Sequence, residues 1–136
     1  MATMQLELVS PEKLLLSRPV EMATIPAAEG EMGVLPGHAP MIVALRGGVI
    51  SVQEGGQVTE RLFVGGGFAE ITGERVTILA DEVTPVANLS RATAEHRIAE
   101  AEAALAATPA EAADRVDAAT TRLLSARAML ALAENP

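Results

Sequence analysis

The residues of this chain with chemical potential are few: two histidines, a run of three glycines and several close carboxylate pairs. His38, in Leu35-Pro36-Gly37-His38-Ala39-Pro40, would need a neighbouring nucleophile to serve as a general base, and none is near in sequence. A rigid, proline-rich loop accounts equally well for its surroundings. His96 stands among Glu95, Arg97 and Glu100 on a predicted helix and reads as a solvated surface residue. The histidines are far apart and cysteine is absent, so neither a close-spaced ligand pair nor a thiolate metal site is expected. Gly65-Gly66-Gly67 lacks the Gly-Lys-Ser/Thr ending and following helix of a phosphate loop. Phe68-Ala69-Glu70 follows it on a predicted strand, so a bend or a close backbone approach is the expected role. Glu29 with Glu31, and Asp81 with Glu82, are ordinary pairs in an acidic protein and read as solvating or partner-facing charges. No nucleophile, base and orienting group can be assembled from these residues, and the chain is expected not to be an enzyme.

The elements that would position these residues fall into two parts. Up to about residue 85 the apolar residues alternate in period two, as half-buried strands require. Gln5-Leu6-Glu7-Leu8-Val9 places Leu6 and Leu8 on one face; Leu14-Leu15-Leu16 begins a second strand, and Val20 to Ile25 makes a third, closed by Pro26. Met41–Leu45 and Val49–Val52 follow. Two hairpins are predicted, Val49–Val52 with Arg61–Val64 around Glu54-Gly55-Gly56-Gln57, and Phe68–Ile71 with Arg75–Leu79 around Thr72-Gly73-Glu74. Glycine suits both because the favoured hairpin turns need positive φ. With no helical segment between the strands, an antiparallel β-sandwich is expected over residues 1–86.

The pattern changes at Pro85-Val86-Ala87-Asn88. Asn88 or Ser90 can cap a helix running to about Ala107. Thr108-Pro109-Ala110-Glu111 then reads as the capping box of a second helix, with Thr108 as N-cap, continuing to about Ala133. So short a connection predicts an antiparallel two-helix hairpin over residues 87–136, hinged near Asn88. Ala94, Ile98, Ala101 and Leu105 form one seam, and Val116, Ala119, Leu123, Ala126 and Leu130 the other. At ~25 cal/mol per Å² of apolar area, alanine contributes little, so the hairpin is weakly held and owes much of its helicity to propensity. The expected class is α+β.

Composition removes whole classes of function. Aromatic residues make up 1% of the chain, Phe63 and Phe68 alone, so there are no stacking platforms for bases or sugars. The net charge is −8, and both parts are acidic: five basic and eleven acidic residues in 1–87, five and seven in 88–136. A nucleic-acid partner is therefore not expected. The N-terminus lacks the basic and apolar regions of a signal peptide, and no stretch approaches the ~18–20 apolar residues of a membrane span, so direct membrane insertion is not expected.

From Glu29 through Gly33-Val34-Leu35-Pro36-Gly37-His38 to Pro40 the chain resembles the ε subunit of bacterial F-type ATP synthase, the counterpart of mitochondrial δ. Gly66–Ile71, Val76–Asp81 and the opening Gln5–Pro11 also match in order. The resemblance implies a central-stalk subunit whose sandwich docks on the γ subunit and on the polar loops of the c-ring, at the cytoplasmic face of the bacterial inner membrane. Such a subunit couples proton transport to ATP synthesis without catalysing it. By the motif match, the loop with Glu29 and Glu31 faces the c-ring and His38 lies close to that surface. In many relatives the hairpin reaches the α/β catalytic head or binds ATP through Ile/Leu-Asp-x-x-Arg-Ala. Here the segment reads Ala87-Asn88-Leu89-Ser90-Arg91-Ala92, keeping Arg91 and Ala92 but not the aspartate. Arg122 and Arg127 are five apart and fall on different helix faces. Weak or absent ATP binding and weak inhibition are the expectation. The competing readings are a free-standing sandwich that recruits another partner through its helices, and a small nucleotide sensor.

Overall fold

A computed structural model describes residues 2–134, and among them the chain divides into two compact units that part between Pro85 and Val86. The first contains ten strands: β1 (Met4–Val9), β2 (Leu14–Val20), β3 (Met22–Ala27), β4 (Gly30–Val34), β5 (Met41–Leu45), β6 (Gly48–Glu54), β7 (Gln57–Val64), β8 (Gly67–Ile71), β9 (Arg75–Ala80) and β10 (Val83–Pro85). One layer runs β10-β7-β6-β3 with β4 on the far side of β3, and the other runs β5-β8-β9-β1-β2. They are stitched at a corner where Ala27 of β3 pairs with Leu45 of β5. Every pairing is antiparallel except that of β1 with β9.

The alternation seen in the sequence builds the core. Leu6, Leu8, Val76, Ile78, Ala69 and Ile71 point inward from one layer; Ala23, Ile25, Val34, Ile50, Val52, Leu62 and Val64 point inward from the other. All are aliphatic, so packing rests on branched side chains interdigitating without a ring between the layers. At the edge, Arg18 pairs with Leu6 across β1 and β2 and so lies on the inward face of its strand. Its guanidinium reaches Glu54 at 3.0 Å and Glu60 at 3.3 Å on the β6–β7 hairpin. The Gly56 N–H of the same hairpin donates to Glu21 at 3.0 Å. An inward charge on an edge strand also discourages pairing with another chain.

Three local expectations are corrected. Val20–Ile25 is not one strand: Val20 ends β2, and β3 runs from Met22 through Pro26 to Ala27. Pro26 is tolerated because what it supplies is an acceptor, its carbonyl taking the Arg46 N–H at 2.9 Å. Gly30–Val34, expected as loop, is strand β4, and β10 was not foreseen. Of the two predicted hairpin turns, Gly55 and Gly56 do use positive φ, at 61° and 76°. Gly73 does not. There the Thr72 hydroxyl accepts the Arg75 N–H at 3.1 Å and closes the turn.

The second unit comprises a 3₁₀ turn, η1 (Val86–Asn88), then α1 (Arg91–Ala107) and α2 (Ala113–Glu134). Ser90 is the N-cap of α1, its hydroxyl accepting the Thr93 N–H at 3.2 Å. Thr108 is not the N-cap of α2. Its N–H donates to the Leu105 carbonyl and its hydroxyl to the Ala104 carbonyl at 2.6 Å, which makes it the C-cap of α1. Pro109–Ala112 forms a turn, closed by Ala112 N–H to Pro109 carbonyl, and α2 starts only at Ala113. Ala94 and Ala101 of α1 are buried with Ala119, Leu123, Ala126 and Met129 of α2, a seam of small residues in which Met129 rather than Leu130 is the buried member.

Candidate functional site

Glu29 sits at the tip of the β3–β4 hairpin, where Ala27 pairs with Gly30 across a two-residue turn. Gly30 adopts a φ of 144°, which a side chain would resist. The Ala28 N–H donates to the Ala44 carbonyl at 2.9 Å, so the tip is pinned beside β5. Between the hairpin and β5 lies an open cleft of about 520 Å³, lined by Glu29, Glu31, Met32, Met41, Ile42 and Ala44 among others. The structure thus brings Glu29 and Glu31 to one rim, both exposed. Among the described residues neither carboxylate has a hydrogen bond or ion pair.

His38 is not among the residues lining this cleft. It occupies the β4–β5 loop, with its N–H donating to the Leu35 carbonyl and its Nδ1 to the Ala39 carbonyl at 2.8 Å. Gly37, at a φ of 86°, donates its N–H to the Gly73 carbonyl at 2.8 Å, tying the loop to the β8–β9 turn. The proline-flanked loop is therefore held by backbone bonds, and among the described residues no nucleophile is bonded to the imidazole.

The triplet Gly65–Gly67 is a close approach between backbones. Gly67 has a φ of 135°, and a Cβ there would lie 1.9 Å from the Leu79 carbonyl oxygen. It opens β8 and sets the phase of Phe68. That phase matters. Phe68 is paired with Ala44 on one side and Leu79 on the other; Leu79 pairs with Val9, and Val9 with Leu14. Paired residues share a face, so Ala44, Phe68, Leu79, Val9 and Leu14 form one apolar row across the outside of the layer. Phe68, Leu79 and Leu14 are each more than half exposed, and Ile42 next to the row is 73% exposed. Sequence reasoning missed this face. Its only trace is an aromatic and a leucine on the phase of β8 and β9 that otherwise carries Glu70, Arg75 and Thr77.

In the helical unit, Asn88 ends η1 and is exposed, while Arg91 and Ala92 open α1, also exposed. Arg91 donates from Nε to Glu95 at 2.9 Å. Arg127 faces Glu102 at 3.9 Å, and His96 lies 2.6 Å from Glu100 on the outside of α1. Among the described residues there is no group of His, Cys, Asp and Glu that could hold a metal ion, and no helix is long and apolar enough to cross a membrane.

Residues 3–86 match the family model described as ATP synthase, Delta/Epsilon chain, beta-sandwich domain. The chain is 58% identical over 135 residues to an ATP synthase epsilon chain of Granulibacter bethesdensis, covering 99% of this chain and all of that one. It is 45% identical over 129 residues to that of Rhodospirillum rubrum, covering 95% of both. Among solved structures it is similar to a chain in the cryo-EM structure of the Euglena gracilis mitochondrial ATP synthase, OSCP/F1/c-ring. The TM-score is 0.78 at 26% identity, over 96% of this chain and 81% of that one.

Proposed function

The chain belongs to the delta/epsilon-chain family of ATP synthase, and on that premise we propose that it is a non-catalytic rotor subunit of a proton-translocating F-type enzyme. It joins the γ subunit to the membrane c-ring, turns with them and couples proton flow to ATP synthesis at the cytoplasmic face of a bacterial inner membrane. The work requires two dissimilar surfaces on a stiff body, and a sandwich with an aliphatic core is such a body.

The observation that carries the reading is the apolar row Ala44–Phe68–Leu79–Val9–Leu14 with Ile42 beside it. A contiguous exposed apolar strip of this kind marks a protein interface, and it is assigned here to γ. The hairpin tip with Glu29 and Glu31 is assigned to the c-ring; His38, on the β4–β5 loop that leaves the far end of β4, is assigned to the same partner-facing side by the family resemblance alone. Exposed carboxylates without partners of their own suit polar loops that carry arginine, and they steer and orient more than they bind. Membrane attachment is then peripheral, through the c-ring.

The 1–86 sandwich does this coupling, and the 87–136 hairpin is at most a weak regulator of the catalytic head. The degenerate segment Asn88–Ala92 has no carboxylate to complement a nucleotide, and Arg91 is already engaged by Glu95. The test is co-purification: the tagged chain, expressed with the other F1 subunits of its own enzyme, should bring down γ and the catalytic head in stoichiometric amounts. Recovery as a free monomer under those conditions would replace this reading with that of a free-standing interaction module.

A further inference from the structure

A second row of side chains runs beside the apolar one on the outward face of the β5-β8-β9-β1-β2 layer. Ile42 pairs with Glu70, Glu70 with Thr77, and Thr77 with Glu7. This row lies two residues along the strands from Ala44, Phe68, Leu79 and Val9, a spacing of roughly 6.7 Å. Glu70 is therefore one corner of a patch whose other corners are Phe68, Ala44 and Ile42. Its orientation is fixed, because its neighbours Ala69 and Ile71 are buried in the core and the side-chain period of a strand is two. Phe68 and Ile42 are both more than half exposed. A partner that covers both of them also covers Glu70.

The two glutamates of this row have different surroundings. Glu7 is met by the Arg75 guanidinium at 3.2 Å. Glu70 is exposed, and among the described residues its carboxylate has no hydrogen bond or ion pair. In the free subunit water solvates it. Once an apolar partner excludes that water, an unpaired carboxylate is costly, and a cation brought by the partner removes the cost.

We propose that Glu70 receives a lysine or arginine of γ within the docking face, and that this pair fixes how γ lies across the strands. The inference rests on the reading that the apolar row is the γ surface, and it adds the chemistry which that surface must meet. An apolar row alone tolerates sliding along its own direction, since Phe68, Leu79 and Val9 present similar surface on successive strands. One charge beside it gives a single position at which a partner cation is satisfied, so the pair gives orientation as well as affinity. The matching γ surface is an apolar strip with one basic side chain set to its side by about one two-residue strand repeat.

The test is binding of the full-length chain to its own F1 from which this subunit has been removed, titrated at low and high salt. Glu70→Gln keeps the size of the side chain and removes its charge. It should weaken binding roughly ten-fold at low salt and flatten the salt dependence shown by the wild-type chain; Glu70→Lys should weaken binding further. Glu74→Gln removes the same charge from the β8–β9 turn and should change affinity by no more than about two-fold. Equal effects of E70Q and E74Q overturn the pair. So does wild-type binding by E70Q when the doubly substituted Phe68→Ser, Leu79→Ser chain binds poorly, an outcome that leaves the docking face standing. Wild-type binding by all of these variants overturns the docking face and the pair together. Thermal melts that superpose on that of the wild type control for folding.

Discussion

Phe68 of β8 and Leu79 of β9 stand opposite each other on the outward face of the sandwich, 57% and 54% exposed. Their pairing extends a row of apolar side chains that begins at Ala44 and ends at Leu14. A free subunit gains nothing from such a row; the proposed docking on γ would cover it. On that proposal, stability and assembly draw on opposite faces of the same strands.

Replacing both residues with serine separates these roles. Because the side chains are exposed, the chemical denaturation midpoint should correspond to a change within about 0.5 kcal/mol per site. Affinity for γ should fall by at least about 2 kcal/mol, or roughly 30-fold, as expected for the centre of an interface. Unaltered γ binding by the doubly substituted chain would move the docking face elsewhere.

Charge reversal at the β3–β4 tip tests the second surface. Glu29→Lys with Glu31→Lys should leave the fold intact, since both side chains are exposed. In inverted membrane vesicles the variant should lose part of its ATP-driven proton pumping while ATP hydrolysis persists. Exposed charge pairs contribute about 0–1 kcal/mol each, so a several-fold loss at low ionic strength, shrinking with salt, is the expected size. Equal pumping by variant and wild type at low salt contradicts a c-ring role for this tip.

Two glycine substitutions should differ sharply. Gly67→Ala must place a Cβ 1.9 Å from the Leu79 carbonyl oxygen at a φ of 135°, whereas Gly37→Ala, at a φ of 86°, meets nothing within 4 Å. The first should cost on the order of 3 kcal/mol or more and displace β8. The second should cost about 1 kcal/mol, the ordinary penalty of a left-handed alanine. Thermal melts of the two variants make the comparison.

The hairpin should be dispensable for turnover. Ending the chain after Ala87 removes both helices but none of β1–β10, so the shortened subunit should still assemble and the ATP hydrolysis rate should stay nearly unchanged. A large rise in hydrolysis would show an inhibitory hairpin. Isothermal calorimetry of the intact chain should give no saturable heat with micromolar ATP, because Asn88 replaces the family's aspartate and Arg91 already has Glu95 as its partner.

What could be read without coordinates is whatever depends on short-range periodicity and local chemistry. The alternation in Gln5–Val9 and Arg75–Ala80 identifies strands and their inward faces, since the side-chain period of a strand is two. Ser90 is legible as a cap, and Gly55-Gly56 as a turn that needs positive φ. Glu29 and Glu31 stood out because their motif is distinctive, not because of any chemistry they perform. Where two local signals competed, the sequence was ambiguous: Thr108 fits a capping box as well as a C-cap, and only the Leu105 and Ala104 carbonyls, orphaned at the end of α1, decide which bonds it makes. Strand β4 was hidden because Gly30 and Gly33 leave it few side chains with which to show a period, and its existence depends on pairing with β3. The outward apolar row was beyond reach for a deeper reason. Val9, Ala44, Phe68 and Leu79 are neighbours only through register across four strands, and register is set by long-range pairing and core packing, which no window of sequence contains. The sequence by itself determined most of the strands, both helices and the family; the tertiary structure alone decided how β4 and β10 form and which outward residues meet, and so where the proposed docking face lies.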